Sequence, residues 1–319
     1  MSAPSLKVAV LMGGPSAEAG VSRSSAAGVA QALSTRGHEV SLLELDGDCA
    51  RALIAIAPDV VFPVLHGPPG EDGTVQGFLE ILGLPYVGSG VHGSALAMDK
   101  SLAKFVFRSA GLPLADDYLI APGTDTAEAA ARARAALGER IVVKPLRQGS
   151  AIGVTRLPNG GDPVPAIEQA LSFGHGVLVE RFVPGREITV GVLDLNDRRP
   201  VALPVIEIRT AFGEWYDFTN RYTAGRSEHV MPPDLPEHVL SSLQSIALEA
   251  HRSLGLRDLS RADFLVTDLN EIVLLEVNTL PGMTPTSLYP EGAAAIGLPF
   301  PELTDALIRS ALARGVKPG

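Results

Sequence analysis

Short apolar runs alternate with amphipathic stretches over the first third of the chain. Leu6–Met12 is a short apolar run of the kind found in buried parallel strands. Ser22–Arg36 places apolar residues at helical spacing, and Gly37 follows as a typical helix C-terminal glycine. The alternation continues with predicted strands His38–Leu45, Asp59–Leu65 and Pro85–Val87 and predicted helices Cys49–Ala57 and Thr74–Leu82. This order predicts a parallel, Rossmann-like sheet in a first domain of residues 1–90.

The pattern changes at about residue 91, where helices and short strands predict a smaller sheet. One helical stretch carries Met98, Asp99 and Lys100 and runs to Gly111. A central domain, residues 91–182, is predicted from strands Asp117–Ile120, Ile141–Lys144, Val154–Leu157 and Val177–Phe182 and helices Thr126–Leu137 and Val164–Leu171. A third domain, residues 183–319, is predicted from strands Glu187–Leu193, Val201–Ile208, Arg261–Val266 and Glu271–Asn278 and the helix Glu237–Leu254. The expected fold class is therefore α/β with α+β character.

Composition narrows the functional classes. The 319 residues carry 26 Lys+Arg and 36 Asp+Glu, a formal net charge of −10, and no basic run, which argues against a nucleic-acid partner. Cys49 is the single cysteine, so neither an intrachain disulfide nor a multi-cysteine metal site is expected. No apolar run approaches the ~20 residues that cross a bilayer, and Met1–Lys7 lacks the apolar core of a signal peptide. We expect a cytoplasmic protein without a membrane partner.

The strongest chemical signal is a pair of strands near the C-terminus. Alternate residues of a strand share a face, so Asp263 shares one with Arg261, and Glu276 shares one with Asn278. Thr267–Asn270 is typical of a tight turn and predicts that the two strands form a hairpin. The hairpin would gather two carboxylates and an amide, which are hard oxygen ligands suited to Mg²⁺ shared with nucleotide phosphates. The plain alternative is a hairpin with one solvated face.

A lysine followed by a glycine-rich loop gives a second signal. Lys144 ends an apolar strand, and Gly149, Ser150 and Gly153 lie in the loop after it. Backbone N–H groups of such a loop can surround phosphates while the lysine supplies a point charge. Residues 93–101 lack the second glycine of a GxxxxGK[ST] loop, and residues 13–15 do not fit GxGxxG. The missing glycine fingerprint disfavours a nicotinamide dehydrogenase.

Two carboxylates, a histidine and a long loop complete the candidate set. Glu180, near a strand edge, can accept a hydrogen bond from an adenine amine, and Glu187 can hold ribose hydroxyls. His66 ends the third predicted strand, at the rim where parallel sheets bind ligands. The segment Arg209–Ser227 predicts a lid that keeps water from the site, because it combines polar residues with the aromatics Trp215, Tyr216, Phe218 and Tyr222.

Together these segments resemble the D-alanine–D-alanine ligases of the ATP-grasp superfamily. The resemblance covers nearly the whole chain in the family's order and is carried by Gly13–Glu18 with Val21–Ser22, Leu65–Gly67 with Gly70–Gly77, Gly88–Gly90, Ser94–Ala95, Met98–Lys100, Lys144–Pro145 with Gly149–Ser150, Tyr216–Asp217 with Tyr222, Arg261–Asp263, Glu276–Thr279 with Pro281–Thr284, and Ser287–Leu288. It implies a three-domain ATP-grasp fold, with ATP held between the sheets of the central and C-terminal domains. It also implies that ATP activates one D-alanine as an acyl phosphate, which the amine of a second D-alanine attacks.

The resemblance implies a role for each matching residue. ATP would be held by Lys100 and Lys144 at the phosphates, Glu180 at the adenine and Glu187 at the ribose, together with Val183 and Arg221. Two Mg²⁺ ions, which Mn²⁺ can replace, would be bound by Asp263, Glu276 and Asn278. The first D-alanine would meet Glu18 and His66, with Ser150 and Tyr222 hydrogen-bonded to Glu18. Arg261 and the Gly282 N–H would stabilise the tetrahedral oxyanion, and the second carboxylate would be bound by Ser287 and the Leu288 N–H.

Seven positions depart from the family pattern: Ala19, Gly20, Gln148, Ala151, Thr219, Asn220 and Arg221. Arg221 keeps the cation of the usual lysine, with a planar fork instead of a point charge. These departures bear on turnover and on the choice of second substrate. The alternatives are another ATP-grasp ligase, joining D-alanine to a hydroxy acid or serving a biosynthetic cluster, and a non-catalytic nucleotide-binding module. A homodimer is expected.

Overall fold

The computed structural model describes residues 4–196, 198–211, 214–216, 220–221, 223 and 225–316. Its strands form three sheets, one parallel and two antiparallel, each flanked by helices. The mixed α/β class expected from the sequence is confirmed. Each sheet falls within one of the three predicted domain ranges, whose boundaries near residues 90 and 182 stay a prediction.

The first sheet is parallel because helices connect its strands. β1 (Lys7–Met12) lies between β2 (Glu39–Glu44) and β3 (Val60–Pro63). The helices that follow these strands are α1 (Ala19–Thr35), α2 (Cys49–Ile56) and α3 (Thr74–Ile81). The expected fourth strand, Pro85–Val87, makes a single bridge between Tyr86 and Val61, since Pro85 has no N–H with which to extend a ladder.

Two helices, not the single one expected, lead from the first sheet to the second. They are α4 (Val91–Met98) and α5 (Lys100–Ser109). Asp99 separates them with an extended backbone (φ −86°, ψ 103°), and its carboxylate accepts from the N–H groups of Ser101 and Leu102. The expectation of one continuous helix is wrong because Asp99 is a better N-cap than a helix-interior residue.

The second sheet is antiparallel and has the order β4-β7-β5-β6. Its strands are β4 (Asp117–Ile120), β5 (Ile141–Pro145), β6 (Thr155–Leu157) and β7 (Val177–Arg181). The helices α6 (Thr126–Leu137) and α7 (Val164–Leu171) pack against it through a small apolar core. The elements expected between residues 117 and 182 are therefore confirmed within two residues.

The third sheet has the order β11-β10-β8-β12-β13, and β9 pairs with β8. Its strands are β8 (Arg186–Asp194), β9 (Val201–Ala202), β10 (Ile206–Thr210), β11 (Ser227–Val230), β12 (Asp258–Val266) and β13 (Ile272–Asn278). The expected strand Val201–Ile208 is wrong as one element, because Pro204 cannot donate to a ladder and the chain divides there. The helices are α8 (Glu237–Ser253), α9 (Leu288–Ala295) and α10 (Phe300–Arg314).

The C-terminal helix α10 returns to the first sheet. Its Leu303, Leu307 and Ile308 share one apolar core with Val29 of α1 and Leu259 of β12. This core joins the first and third sheets, so the loops after β1 and β3 face the hairpin β12–β13. In the part of the chain that the structure describes, no helix has the length and apolar character needed to span a membrane.

A buried ion pair closes the same junction. The Asp258 carboxylate accepts from Arg314 at 2.5 and 2.9 Å and from the Gly88 N–H at 2.7 Å. We predict that Arg314→Met lowers the free energy of unfolding by about 3 kcal/mol, since it leaves a buried carboxylate without its counter-charge. Arg309→Met on the same helix removes a more exposed pair with Asp305 and should cost less than about 1 kcal/mol. Equal losses of unfolding free energy in the two variants, measured by urea denaturation, would contradict the role assigned to the pair of Arg314 and Asp258.

Candidate functional site

The hairpin β12–β13 supplies one wall of the site. In its register Arg261 lies opposite Asn278, and Asp263 lies opposite Glu276. The register shifts after Asp263, where β13 contains one extra residue, Leu275. Beyond this bulge, Phe264 lies opposite Leu274. The hairpin predicted from the sequence is confirmed, and its polar residues lie side by side as expected.

Asp263 is the most heavily bonded carboxylate of this wall. It accepts from both Nε and Nη2 of Arg261 at 2.8 Å, from Thr189 Oγ1 at 2.7 Å and from Asn278 Nδ2 at 3.1 Å. Burial alone would raise the pKa of Asp263, but the charge and hydrogen bonds of Arg261 outweigh it and hold that pKa below its ordinary value. The same pairing raises the pKa of Arg261 against the effect of burial. Both groups are therefore ionised.

The second wall is the loop that follows β5. Ser150 and Ala151 both have positive φ, 48° and 58°, so the loop turns tightly at these two residues. Ser150 Oγ donates to Glu18 Oε1, across 132 residues of sequence. Glu18 is buried at the start of α1, beside the loop after β1. The contact between Ser150 and Glu18 that the resemblance implies is thus present.

Two more titratable side chains come from the loop after β3. Burial lowers the pKa of His66 below its ordinary value, although the charge of Glu18 opposes this. The buried Nε2 of His66 has no hydrogen-bond partner among the described residues. Desolvation, followed by the nearby charge of Glu18, raises the pKa of Glu71 to about 8. At pH 7, Glu71 therefore carries a proton, and His66 is neutral.

The segment after β13 closes this end of the site. Ser287 is the N-cap of α9, and Leu288 is its first residue, so the helix directs unpaired N–H groups into the space in front of it. Ser287 Oγ hydrogen-bonds to Thr284 Oγ1 at 2.7 Å and accepts from the Thr284 N–H at 3.1 Å. A Cβ on Gly282 would come within 3.1 Å of Ser287 Oγ, so a side chain there would crowd the helix N-terminus.

A second cluster lies between the second and third sheets. Lys100 Nζ donates to the Gln148 carbonyl at 2.6 Å and lies 3.5 Å from Glu276 Oε2. Lys144 Nζ lies 2.5 Å from Glu180 Oε2. Burial alone would lower the pKa of Lys144, but Glu180 outweighs it and raises that pKa above its ordinary value. Cations from α5 and β5 thus face carboxylates from the second and third sheets.

The described part of the segment 209–227 packs against this cluster. Tyr216 is buried with Leu288, and its N–H donates to Glu187 Oε1 at 3.4 Å. Arg221 donates through Nε to the Tyr216 carbonyl at 3.1 Å, and its guanidinium lies 4.5 Å from the centre of the Tyr216 ring. Tyr222, predicted to join Glu18 and Ser150, lies outside the described residues, as do Gly213, Asp217, Phe218 and Thr219.

Two adjoining cavities bring most of the predicted residues together. The larger, of about 1120 Å³, is lined by Glu18, His66, Ser150, Arg221, Arg261, Asn278, Gly282, Ser287 and Leu288. The smaller, of about 130 Å³, is lined by Lys100, Lys144, Glu180, Val183, Glu187, Arg221 and Glu276. Arg221 and Tyr216 line both and mark the junction. Asp263 lines neither cavity and contacts the site through Arg261 and Asn278.

Sequence reasoning assigned no role to two titratable groups of the site. Glu71 stands in a segment that carries the resemblance, but a glutamate in a polar loop has no pattern that signals burial beside Glu18. Lys104 reaches Glu180 Oε1 at 2.5 Å from α5 and is almost fully buried. Its one available signal was its place among the buried residues Ala103 and Phe107 on a helix, where a lysine is unusual.

The sheets and the smaller cavity define the class of the fold. Lysines and carboxylates converge between two antiparallel sheets, which is the arrangement of an ATP-grasp fold. The D-alanine–D-alanine ligase of Coxiella burnetii is a solved structure that superposes with a TM-score of 0.83 at 29% identity, covering 98% of this chain and 95% of that one. The corresponding Bacillus anthracis ligase, solved in complex with ATP, gives a TM-score of 0.80 at 29% identity, covering 97% and 98%.

The sequence comparisons assign the chain to a family. The family described as D-ala D-ala ligase C-terminus matches residues 106–309, and that described as D-ala D-ala ligase N-terminus matches residues 49–89. The D-alanine–D-alanine ligase of Moorella thermoacetica is 44% identical over 311 residues, covering 96% of this chain and 99% of that protein. That of Methylocella silvestris is 46% identical over 310 residues, covering 95% and 97%. The chain belongs to the D-alanine–D-alanine ligase family.

We predict that Glu71→Gln flattens the pH dependence of stability. In the folded protein the pKa of Glu71 is about 8, against 4.5 for an ordinary glutamate, so the folded state holds a proton that the unfolded state releases. The contribution of Glu71 to the free energy of unfolding is therefore fully present at low pH and is lost as pH rises from about 4.5 to 8. In this range the free energy of unfolding falls by up to about 1.4 kcal/mol per pH unit. Glutamine keeps the contact with the Gly67 N–H but cannot ionise.

Urea unfolding of both proteins at pH 5, 6.5 and 8 measures this slope. Glu249→Gln is the matched control, because it makes the same change on an exposed face of α8. Parallel pH profiles for the wild type and Glu71→Gln would contradict the prediction.

Proposed function

We propose that this protein joins two molecules of D-alanine at the expense of ATP. The observation that carries the proposal is the pairing of the two cavities through Arg221 and Tyr216. One cavity offers an anionic and a cationic end for zwitterionic substrates, and the other offers lysines for phosphates. The relatives named above are D-alanine–D-alanine ligases, and one of them was solved with ATP.

The first D-alanine is proposed to bind between the loops after β1, β3 and β5. Glu18 would attract its ammonium group, and Ser150, which donates to Glu18, would hold that carboxylate in place. His66 has a buried Nε2 that lines the same cavity and is suited to hydrogen-bond a substrate carboxylate. Because Glu71 is protonated at pH 7, it adds no second negative charge that would compete with Glu18.

The second D-alanine is proposed to bind at the N-terminus of α9. Ser287 and the Leu288 N–H would hold its carboxylate, because a helix N-terminus presents unpaired donors and a positive dipole end. Its amine would then point back toward the first substrate. The cation of Arg261 and the N–H of Gly282 line the space between the two ends and would stabilise negative charge on the carbonyl under attack.

The smaller cavity is proposed to bind ATP. Lys100 and Lys144 would hold the phosphates, Arg221 the transferred phosphoryl group, Glu180 the adenine amine and Glu187 the ribose, with Val183 lining the adenine end. In this arrangement the nucleotide would lie between the second and third sheets, with its phosphates toward the junction of the two cavities.

The polar residues of the hairpin fit Mg²⁺, with Mn²⁺ as its substitute. Asp263 and Glu276 lie opposite each other, and Asn278 contacts Asp263. Among the described residues no three His, Cys, Asp or Glu side chains gather to hold an ion by themselves. Mg²⁺ commonly completes its shell with phosphate oxygens and water, which suits two carboxylates and one amide. When bound, Mg²⁺ neutralises charge on the phosphates.

The chemistry has two steps. A carboxylate oxygen of the first D-alanine attacks the γ-phosphorus of ATP and releases ADP, which leaves an acyl phosphate. The amine of the second D-alanine, having lost a proton, attacks the acyl carbon, and phosphate leaves. Each turnover consumes one ATP and releases one proton with the dipeptide. Both steps move negative charge, so cations and N–H donors carry catalysis, and Tyr216, buried over the site, helps to exclude water.

The departures at Ala19, Gly20, Gln148, Ala151 and Arg221 bear on rate and on the second substrate. Gln148 meets Lys100 through its backbone carbonyl, so the loss of an acidic side chain leaves that contact in place. D-Alanyl-D-lactate formation and a biosynthetic-cluster ligase are the competing activities. Cytoplasmic location and a homodimer, both expected from the sequence, stay predictions.

We predict ADP and phosphate release that depends on Mg²⁺ and on D-alanine, with D-alanyl-D-alanine as the product. A coupled ADP assay with chromatographic detection of the dipeptide, run against D- and L-amino acids and D-lactate, measures this. Glu18 favours a first substrate that carries an ammonium group, and the α9 N-terminus favours a second substrate that carries a carboxylate. Equal turnover of L-alanine, or a preference for D-lactate as the second substrate, would contradict the proposal.

We predict that Glu276→Gln abolishes most activity and leaves the fold intact. The amide has nearly the same shape as the carboxylate but loses the charge proposed to hold Mg²⁺, so kcat should fall by about a hundredfold or more. Glu271→Gln, an exposed change beside the turn of the same hairpin, is the control and should retain wild-type activity. Normal turnover with normal Mg²⁺ dependence in Glu276→Gln would exclude the metal-binding role.

A further inference from the structure

Glu180 is held by two lysines, one on each carboxylate oxygen. Lys104 Nζ, from α5, lies 2.5 Å from Oε1, and Lys144 Nζ, from β5, lies 2.5 Å from Oε2. Lys104 completes its hydrogen bonds with the Ala115 carbonyl at 3.0 Å and also faces Asp117 Oδ1 at 3.6 Å. The Lys104 side chain is 3% exposed and that of Lys144 is 14% exposed. The two cations therefore differ in access, because Lys144 lines the smaller cavity whereas Lys104 lies behind Glu180.

Nucleotide binding conflicts with the contact between Lys144 and Glu180. The smaller cavity has about 130 Å³ of free space, well below the roughly 300–1,000 Å³ of typical ligand sites. Lys144 is proposed to bind phosphate, and Glu180 is proposed to bind the adenine amine. The contact between Lys144 and Glu180 must therefore break, and each residue must bind a different part of ATP instead. When Lys144 leaves, a buried carboxylate would lose a cation, and an uncompensated buried charge is strongly destabilising.

We propose that Lys104 is a positioning residue, a fixed counter-charge for Glu180 that lets Lys144 move from the carboxylate to the nucleotide phosphates. Lys104 stays on Oε1 throughout. Oε2, freed by Lys144, then points into the cavity as an ionised acceptor for the adenine amine. This inference rests on the proposed nucleotide site and adds to it a residue that does not touch the nucleotide.

The electrostatics of Glu180 agree with this arrangement. Burial alone would raise the pKa of Glu180, but Lys144 and Lys104 together outweigh it and lower the pKa to about 2. Asp117, opposite Glu180 in the β4–β7 register, is a like charge that is itself paired with Arg108. Lys104 thus binds Glu180 directly, while the charge of Asp117 is offset by Arg108, one turn further along α5.

The test measures ATP affinity by calorimetry on the full-length protein without D-alanine. Lys104→Met should weaken ATP binding about tenfold or more, since Lys144 becomes the only cation on Glu180 and is retained there. Arg132→Met is the matched control, because it removes an exposed cation of α6 that pairs with Glu128, and it should bind ATP within about twofold of the wild type. Lys104→Gln, which keeps a donor for Ala115 but removes the charge, repeats the measurement if the methionine variant does not fold.

A double-mutant cycle separates positioning from general support of the fold. In the background of Glu180→Gln, Lys144 is already released, so the further change Lys104→Met should alter ATP affinity by less than about twofold. A tenfold loss in both backgrounds, or wild-type affinity in both Lys104 variants, overturns the proposal. KM for D-alanine should stay unchanged in Lys104→Met, because the larger cavity does not contain Lys104.

The result is independent of the ligase assay. ATP affinity is read without D-alanine, so a protein that binds ATP but forms no dipeptide would contradict the proposed function and leave this inference standing. Normal dipeptide synthesis, together with additive effects of the two changes on ATP affinity, would support the proposed function and contradict this inference.

Discussion

The site depends on one constraint: charges that are buried near the ligands must be neutralised before the ligands arrive. Arg261 holds Asp263, Lys144 and Lys104 hold Glu180, and Lys100 lies near Glu276. An unpaired buried charge would cost several kcal/mol, so each pair allows the sheets to close around a polar cavity. Arg261 and Asp263 lie on one strand and Lys144 and Glu180 in one sheet, whereas Lys100 connects α5 with the third sheet.

Those pairs also determine how substrates enter. The residues proposed to bind phosphate and metal are engaged with one another in the described structure, so binding is an exchange of partners and not the filling of free sites. This exchange keeps the change in the net charge of the site small at each stage. Each carboxylate that loses its cation partner contacts an amine, a metal ion or a second cation in its place. The dense charge pairing around Glu180 and Asp263 follows from this requirement.

Local sequence patterns predicted most of the secondary structure. Buried parallel strands such as β1 and amphipathic helices such as α6 carry their own periodicity, and their bounds are confirmed within a few residues. The errors lie where a single residue overrides the pattern. Asp99 caps a helix that the periodicity continues, and Pro204 divides a run that reads as one strand. A side-chain cap in the first case, and a missing backbone N–H in the second, outweighs the apolar pattern around the residue.

The hairpin β12–β13 and its polar face were determined by sequence alone, because alternation and turn chemistry are local properties. The family resemblance predicted that Glu18, Ser150 and Ser287 belong to one site. Their spacing in the sequence does not indicate this. Only the tertiary structure decided that Ser150 meets Glu18 across 132 residues, that Glu71 becomes neutral beside it, and that Lys104 is buried against Glu180. These properties depend on desolvation and on distances between sheets. A residue's sequence neighbours contain neither, so they arise only when the chain is packed.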